Sequence, residues 1–326
     1  MFRPRPTMQS VRGATLVLFS GALGDFICFL PTLHGLRRRY AEATLAVIAQ
    51  SSVLPLAVRP GLADLGVRLE SAAVARLFVG GAVQTSPVHG ISVGDVYSWF
   101  GTRDPVVREN LRKLAGGTVH CAPFVPAEGH SGHVARWFLG SVGLSAALAS
   151  TGMLISLRRS EKQRAEELWH SHGLVGKAVL AVHRGAGNTA KRWTQGGYED
   201  VTRWWRSRGG AVLEVAGPED QGEPLAQSHS LVQGLPLGDL AGLLARADLY
   251  LGSDTGVSHL AGAVGARGVV VFGPTRPLAW RPLGGRLVCL KGVVPGSGNE
   301  PVSLSSVSSA RVIRALDLLA SAQAQP

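Results

Sequence analysis

The sequence predicts an α/β protein built on doubly wound parallel sheets, and three observations carry that reading. Short apolar runs (ATLVLF at 14–19, Leu45–Ala49, Ala178–His183, Ala211–Ala216, Val269–Phe272) alternate with helical patterns. Glycine-rich turns follow several of them, and the 42 glycines show no collagen-like period. Finally, DLYLGSDTGVSHLAGAVGARGVVVFGPT (248–275) sets strand, short helix and strand so close together that a right-handed parallel crossover follows.

The elements follow in order. Residues 14–19 read as a buried first strand, then Gly21-Ala22-Leu23-Gly24-Asp25 and a helix through Leu30–Tyr40. Pro31 lies near enough the start of that pattern to be tolerated or to bend it. Arg37, Arg38 and Arg39 fall in its last turn, where cations complement the helix dipole. A second strand is Leu45–Ala49. Segment 71–157 mixes helical patterns with glycine-rich pieces, and Ser141–Ser150 reads as a short helix.

A second α/β series opens after the amphipathic stretch Arg159–His172. It runs through strand Ala178–His183, loop Arg184–Arg192, helix Tyr198–Ser207, strand Ala211–Ala216 and loop 217–220. Helix Leu237–Ala245 and strand Leu249–Leu251 follow, then a helix from Val257 to about Val264 and strand Val269–Phe272. The tail Ser308–Ala322 is again an amphipathic helix. The expected division is a first domain at 1–157 and a second at 158–307, with a terminal helix at about 308–326.

At 326 residues the chain is long enough for two domains with separate cores. Hydrophobic content of 45% and charged content of 17% exclude a disordered chain. Cys28, Cys121 and Cys289 are odd in number and widely spaced, so neither a disulfide framework nor a metal site follows, and a reducing compartment is expected. The +11 net charge is uneven: residues 1–160 hold 16 Lys/Arg against 8 Asp/Glu, and residues 161–326 hold 17 against 14. A basic first half fits an acidic partner (anionic membrane, phosphorylated lipid or nucleic acid) and equally a solvated surface. Arg3, Arg5 and Arg12 before an apolar stretch imitate a signal peptide, but Asp25 interrupts the stretch and no cleavage pattern follows. No run approaches the roughly 18 apolar residues that span a membrane.

The chemistry concentrates in strand-to-helix loops. Asp254–Gly256 and Gly273–Thr275 emerge at carboxyl ends of parallel strands, where open α/β sheets bind ligands. The first of them ends at a helix N-terminus suited to phosphate. Gly256 permits close backbone approach, Thr255 can cap the helix or donate to an oxygen, and His259 lies four residues on along the same face. The alternative is a plain N-cap beside a surface histidine. In HRGAGNTAKRW (183–193), Gly185 and Gly187 allow close approach, and Lys191 can neutralise a departing diphosphate; the same stretch also reads as a flexible basic loop. Glu219 can accept from sugar or ribose hydroxyls. In the first half, Gly24 and Asp25 open a helix. A carboxylate there is expected to stay ionised through the dipole, as a base for a hydroxyl proton or simply as an N-cap. Gly21 and Gly24 do not complete a dinucleotide fingerprint, and Gln50 stands where a ribose-binding acid would, which disfavours a nicotinamide enzyme.

Taken together, LGDFICFLPTLHGLRRRY, GAGNTAKRW, AGPED and SDTGVSHLAGAVG…VVVFGPT resemble the bacterial lipopolysaccharide heptosyltransferases, family 9 of the glycosyltransferases, from about residue 14 to 285. The resemblance implies a GT-B architecture, two Rossmann-like domains facing across a cleft, with the terminal helix packing back toward the first. It implies an inverting, metal-independent transferase without cofactor. Such an enzyme moves a heptose from a nucleotide-diphosphate sugar, ADP-heptose, to an anionic lipid-linked glycan of the lipopolysaccharide core. By motif, Asp25 matches the general base, and Gly24 and Asp25 fall on the acceptor side. Lys191 matches the lysine on the donor phosphate and Glu219 the acid on donor hydroxyls; Thr255, Gly256 and His259 match the donor segment, with Asp254, Gly185, Gly273 and Thr275 beside them. A cytoplasmic location with peripheral contact at the inner membrane, and no nucleic-acid partner, is implied as well. Phe19 and Arg276 depart from the pattern, where members often carry Lys or Arg and usually Asp. Another sugar donor or acceptor, or a non-catalytic nucleotide-sugar binder on the same scaffold, stays open as an alternative.

Overall fold

The computed structural model describes residues 13–81, 86–88, 90–150, 152–217, 224–293 and 302–322. Arg3, Arg5, Arg12 and Glu219 lie outside them. The chain divides into two compact units, each discontinuous in sequence. One comprises Met1–Gly21, Thr32–Glu128 and Ser141–Leu144; the other comprises Ala22–Pro31, Gly129–Gly140 and Ser145–Pro326.

The elements of the first stretch are β1 (Ala14–Leu18), α1 (Leu23–Arg39), β2 (Leu45–Ala49), α2 (Leu54–Ala57), β3 (Leu65–Arg68), α3 (Ala72–Ala75), β4 (Val93–Ser98), α4 (Pro105–Leu114) and β5 (Val119–Cys121). The strands form one parallel sheet in the order β3-β2-β1-β4-β5. Strands β1 and β2 are buried along their whole length, which is why they read as continuous apolar runs rather than as alternation. Leu16, Leu18, Ala46, Ile48, Val96, Val107 and Leu111 share the core. The Asp104 carboxylate caps α4 by accepting from the Val106 and Val107 N–H groups, with Pro105 at the first helical position.

Helix α1 starts at Leu23, two residues before Asp25, which the sequence places at a helix start. Gly24 stands in the first turn, and Phe26, Ile27, Phe29 and Leu30 are all fully buried. Burial of that face outweighs both the glycine and Pro31 inside the helix.

The second unit continues with α5 (Val134–Gly140), α6 (Arg159–Ser171), β6 (Val179–His183), α7 (Gln195–Ser207), β7 (Ala211–Ala216), β8 (Ser230–Gln233), α8 (Leu237–Arg246), β9 (Leu249–Ser253), α9 (Gly256–Ala263), β10 (Arg267–Phe272), α10 (Pro277–Trp280), β11 (Arg286–Lys291) and α11 (Ser309–Ser321). Its six strands are all parallel, in the order β11-β10-β9-β6-β7-β8. Counted from β6, this is the doubly wound order 3-2-1-4-5-6 read backwards, with the strand order reversing between β6 and β9. The crossover expected at 248–275 is present as β9-α9-β10.

Leu180, Val182, Trp193, Val201, Val212, Leu251, Val269 and Val271 form one face of the core. The buried face of α11 belongs to this cluster through Val312 and Leu316. The apolar stripe of the terminal helix closes the second unit's own core against α7 and the β9–β10 strands. Among the described residues, no helix is long and apolar enough to cross a membrane.

Candidate active site

The loops after β6 and β9 flank the point where the strand order reverses, and they carry Lys191 and Asp254-Thr255-Gly256. Asn188 shapes the first loop by accepting from the Ala190 N–H at 2.9 Å, which starts a short 3-10 turn over Thr189–Lys191. Trp193 then anchors the loop: its indole N–H donates to the Val307 carbonyl at 2.9 Å, and its ring is buried in the core. Lys191 is thereby held with Nζ donating to Asp254 Oδ2 at 2.8 Å.

Asp254 is nearly inaccessible, and His259 Nε2 lies 3.9 Å from its other oxygen. Burial pushes the Asp254 carboxyl up, but hydrogen bonds from His259, Lys191 and Thr275 and the charge of Lys191 outweigh it and bring the pKa down to about 2. His259 is buried between two partners, Asp254 on one side and Cys28 Sγ, 3.5 Å from Nδ1, on the other. Burial disfavours its charge; Cys28 and Asp254 favour it more strongly and raise its pKa to about 10. The surface-histidine alternative is therefore wrong: His259 is an interior cation that braces the aspartate.

Asp25 opens onto the same place from the first turn of α1. It sits at the third helical position, so it is not the N-cap, and the Ala22 N–H donates to its carboxylate. Its pKa is raised above the ordinary aspartate value, because desolvation by burial exceeds the lowering by the Ala22 hydrogen bond and by the charges of His259 and Lys191. Asp254 adds to the rise. Thr255 occupies the N-cap position of α9, yet its side chain caps nothing, and its Oγ1 is buried without a hydrogen-bond partner. An orphaned hydroxyl at a helix N-terminus leaves one polar group to be satisfied by a ligand.

Ala22, Gly24, Asp25, Lys191, Asp254, Thr255, Gly256, His259, Thr275 and Trp280 line one cavity of about 320 Å³, wholly within the second unit. A smaller apolar cavity of about 160 Å³ adjoins it at Leu23 and Val257, between the ends of β7 and β8 and helix α8. The first turns of α1 and α9 come this close because both carry glycine: a Cβ at Gly256 would stand 2.9 Å from Leu23 Cβ, and one at Gly24 would stand 3.1 Å from His259 Cδ2. Gly256→Ala is expected to cost about 1–3 kcal/mol of stability through overpacking, measured as a shifted urea midpoint at unchanged slope.

Gly273 does not line the cavity but lets its loop reach the 189–191 turn, since a Cβ there would meet the Ala190 carbonyl at 2.6 Å. Lys291 holds the same loop by donating to the carbonyls of Gly273 and Thr275. Gly185 is buried at the root of the 184–192 loop and does not line the cavity. Gly187 is exposed with open space around it, so no close approach requires it. Glu219 falls among the residues outside the description.

Sequence reasoning missed Cys28, Trp280 and His133. Cys28 was read as a small buried residue; its place three residues after Asp25, on the same helix face, was the available signal. His133 stands just before α5, donating from Nε2 to the Arg281 carbonyl at 2.8 Å and accepting from the Ala135 N–H. Burial lowers its pKa to about 4, so it is a neutral imidazole tying down the residue after Trp280. No spacing in the sequence announces that contact. Among the described residues, no group of three or more His, Cys, Asp or Glu is placed to hold a metal ion.

Two doubly wound parallel sheets in one chain, the second with a cation, a buried aspartate and a helix N-terminus at its switch point, define an α/β protein of the GT-B class. Residues 134–297 match the model of glycosyltransferase family 9 (heptosyltransferase), and the chain belongs to that family. It is 28% identical over 141 residues to lipopolysaccharide heptosyltransferase 3 of Escherichia coli, and the match covers 40% of each, so the chain spans about two fifths of that curated relative. The fold is that of the E. coli ADP-heptose lps heptosyltransferase II structure, with a TM-score of 0.74 at 17% identity over 95% of this chain and 99% of that one. The structure of E. coli heptosyltransferase WaaC with ADP matches with a TM-score of 0.63 at 16% identity, over 94% and 99% of the two chains.

Proposed function

We propose that this chain is an inverting glycosyltransferase that moves a heptose from ADP-heptose to a hydroxyl of an anionic lipid-linked glycan. The observation that carries the reading is that Asp25, Lys191 and the N-terminus of α9 line one cavity. Inverting transfer needs a base for the acceptor hydroxyl on one side of the anomeric carbon and stabilisation of a departing diphosphate on the other. Asp25 takes the proton. Burial raises its pKa, which makes its carboxylate form a stronger base than an exposed carboxylate.

The leaving diphosphate meets Lys191, the free N–H groups at the start of α9 and the Thr255 hydroxyl. Asp254 accepts from Lys191 Nζ and fixes where that side chain points, and His259 lies against Asp254. The apolar cavity lined by Val215, Val232, Leu235, Leu240 and Val257 offers flat surfaces for a nucleobase, beside the polar backbone of residues 217 and 234. On the acceptor side, a pocket of about 410 Å³ at the carboxyl edge of the first unit's sheet carries Phe100, Arg103 and Phe124 from the loops after β4 and β5. Aromatic faces and a cation suit a phosphorylated sugar. The family's place at the cytoplasmic face of the inner membrane is part of the same proposal.

A thermal-shift panel of ADP, UDP, GDP, CDP and ADP-heptose tests the donor. ADP and ADP-heptose at about 100 times their dissociation constants should stabilise by about 2.7 kcal/mol. Lys191→Ala should weaken ADP by about tenfold and leave adenosine unchanged, since a charge-assisted hydrogen bond contributes about 1.5–3 kcal/mol. Preference for UDP or GDP would overturn the donor, and no nucleotide response would overturn the reading.

A further inference from the structure

The second unit has another cavity, at the opposite end of its strands. It measures about 490 Å³ and is lined by Arg246, Arg267, Arg286 and Asp248, with glycine turns at 265 and 284–285. Arg246 closes α8, Arg267 opens β10 and Arg286 opens β11, so this is the amino-terminal edge of the sheet. The donor loops leave the carboxyl edge. The two sites share no residue.

Strands β10 and β11 pair in parallel with Arg267 directly opposite Arg286. Adjacent strands run about 4.8 Å apart and residues in register share a face, so two arginine stems leave the sheet side by side. Like charges directly opposite one another on neighbouring strands are destabilising. Among the described residues neither arginine has a carboxylate within ion-pair distance. The Arg267 Nε donates to the Asp248 backbone carbonyl at 2.8 Å, which neutralises no charge. The Asp248 carboxylate is itself engaged by the Val179 N–H at 2.7 Å. Arg246 differs: it is paired with Glu166 and lies over the Trp169 ring at 5.3 Å. The cavity thus sets two guanidinium groups side by side, neither ion-paired among the described residues, with the Asp248 carboxylate on the same lining held by the Val179 N–H.

We propose that this cavity is an anion site in which Arg267 and Arg286 together bind a phosphate-bearing group. The planar guanidinium fork matches phosphate oxygens in a two-point contact, and two forks on adjacent strands can grip one phosphate from the same side. The phosphate belongs either to the headgroup of an anionic phospholipid or to a free phosphate or diphosphate. The site goes beyond the transferase reading and does not depend on it.

The test compares the full-length chain with and without Arg267→Gln/Arg286→Gln, both in a Lys191→Ala background so that phosphate binding at the donor cavity is weakened equally in both. Two probes are used: phosphatidylcholine vesicles with and without phosphatidylglycerol, read by co-sedimentation, and inorganic phosphate and pyrophosphate, read by thermal shift. Retention by phosphatidylglycerol vesicles, about thirty-fold weaker in the double variant, assigns the site to lipid headgroups. A pyrophosphate-dependent rise in Tm that the double variant loses, without vesicle retention, assigns it to a free anion. Equal behaviour of the two proteins with every probe overturns the proposal. The single variants Arg267→Gln and Arg286→Gln are run alongside; each is expected to keep the unliganded Tm and to lose about fivefold of the binding, which separates loss of the site from loss of the fold.

Discussion

Asp25→Asn is expected to reduce turnover by about 10²–10⁴-fold while ADP still binds, because the change removes a proton acceptor and leaves the donor contacts in place. Asparagine matches aspartate in size and can still accept from the Ala22 N–H, so the first turn of α1 should hold. The pH profile gives a second readout. The base works only when ionised, so kcat/KM should rise with pH through the Asp25 pKa, and burial places that limb above the ordinary 3.8 of an aspartate. In the Asn variant the limb should vanish. Wild-type turnover in Asp25→Asn, or loss of ADP binding together with activity, would remove Asp25 from the role of base.

Asp254→Asn is expected to be the most damaging single change to the fold of the site. It removes the carboxylate shared by Lys191 and His259 and strands a buried imidazolium. Breaking a buried pair by deleting one partner costs about 3–5 kcal/mol. The Lys191 side chain is about one third exposed (32%), so the low end of that range applies. Urea unfolding followed by tryptophan fluorescence reads the loss.

The pH dependence of stability carries its own signature. Asp254 has a folded pKa depressed to about 2, so its contribution is full above 3.8 and is lost as pH falls toward 2. His259 has a folded pKa raised to about 10, so its contribution is full below 6.5 and is lost as pH rises toward 10. Wild-type stability should therefore decline on the alkaline side across 6.5 to 10, and that slope should flatten in Asp254→Asn. An unchanged alkaline slope would mean that His259 does not owe its charge to Asp254.

Much of the second unit was legible because its chemistry is local. A parallel strand buried on both faces reads as an apolar run, and each ligand loop follows its strand directly, so Lys191, Asp254, Thr255 and Gly256 stand out at once. Helix α1 was harder. Gly24 and Pro31 are helix breakers by propensity, and only the packing of Phe26, Ile27 and Phe29 shows why the helix starts at Leu23. The protonation states were less legible still. Spacing along a helix places a carboxylate near a dipole but says nothing of how much water it loses, so the upward shift of the Asp25 pKa could not be read from the sequence.

The α/β class, the two series of crossovers, the loops that bear charge and the family to which they belong are all readable from the chain alone. Those follow from periodicity and from residues adjacent in the chain. Three features emerge only once the chain is folded: the first turn of α1 groups with the second unit, His259 is buried between Cys28 and Asp254, and α11 completes the second unit's core. Folding also sets Arg267 and Arg286 side by side. These depend on desolvation and on contacts between residues far apart in the chain, Cys28 and His259 being 231 positions apart, and no local pattern encodes either.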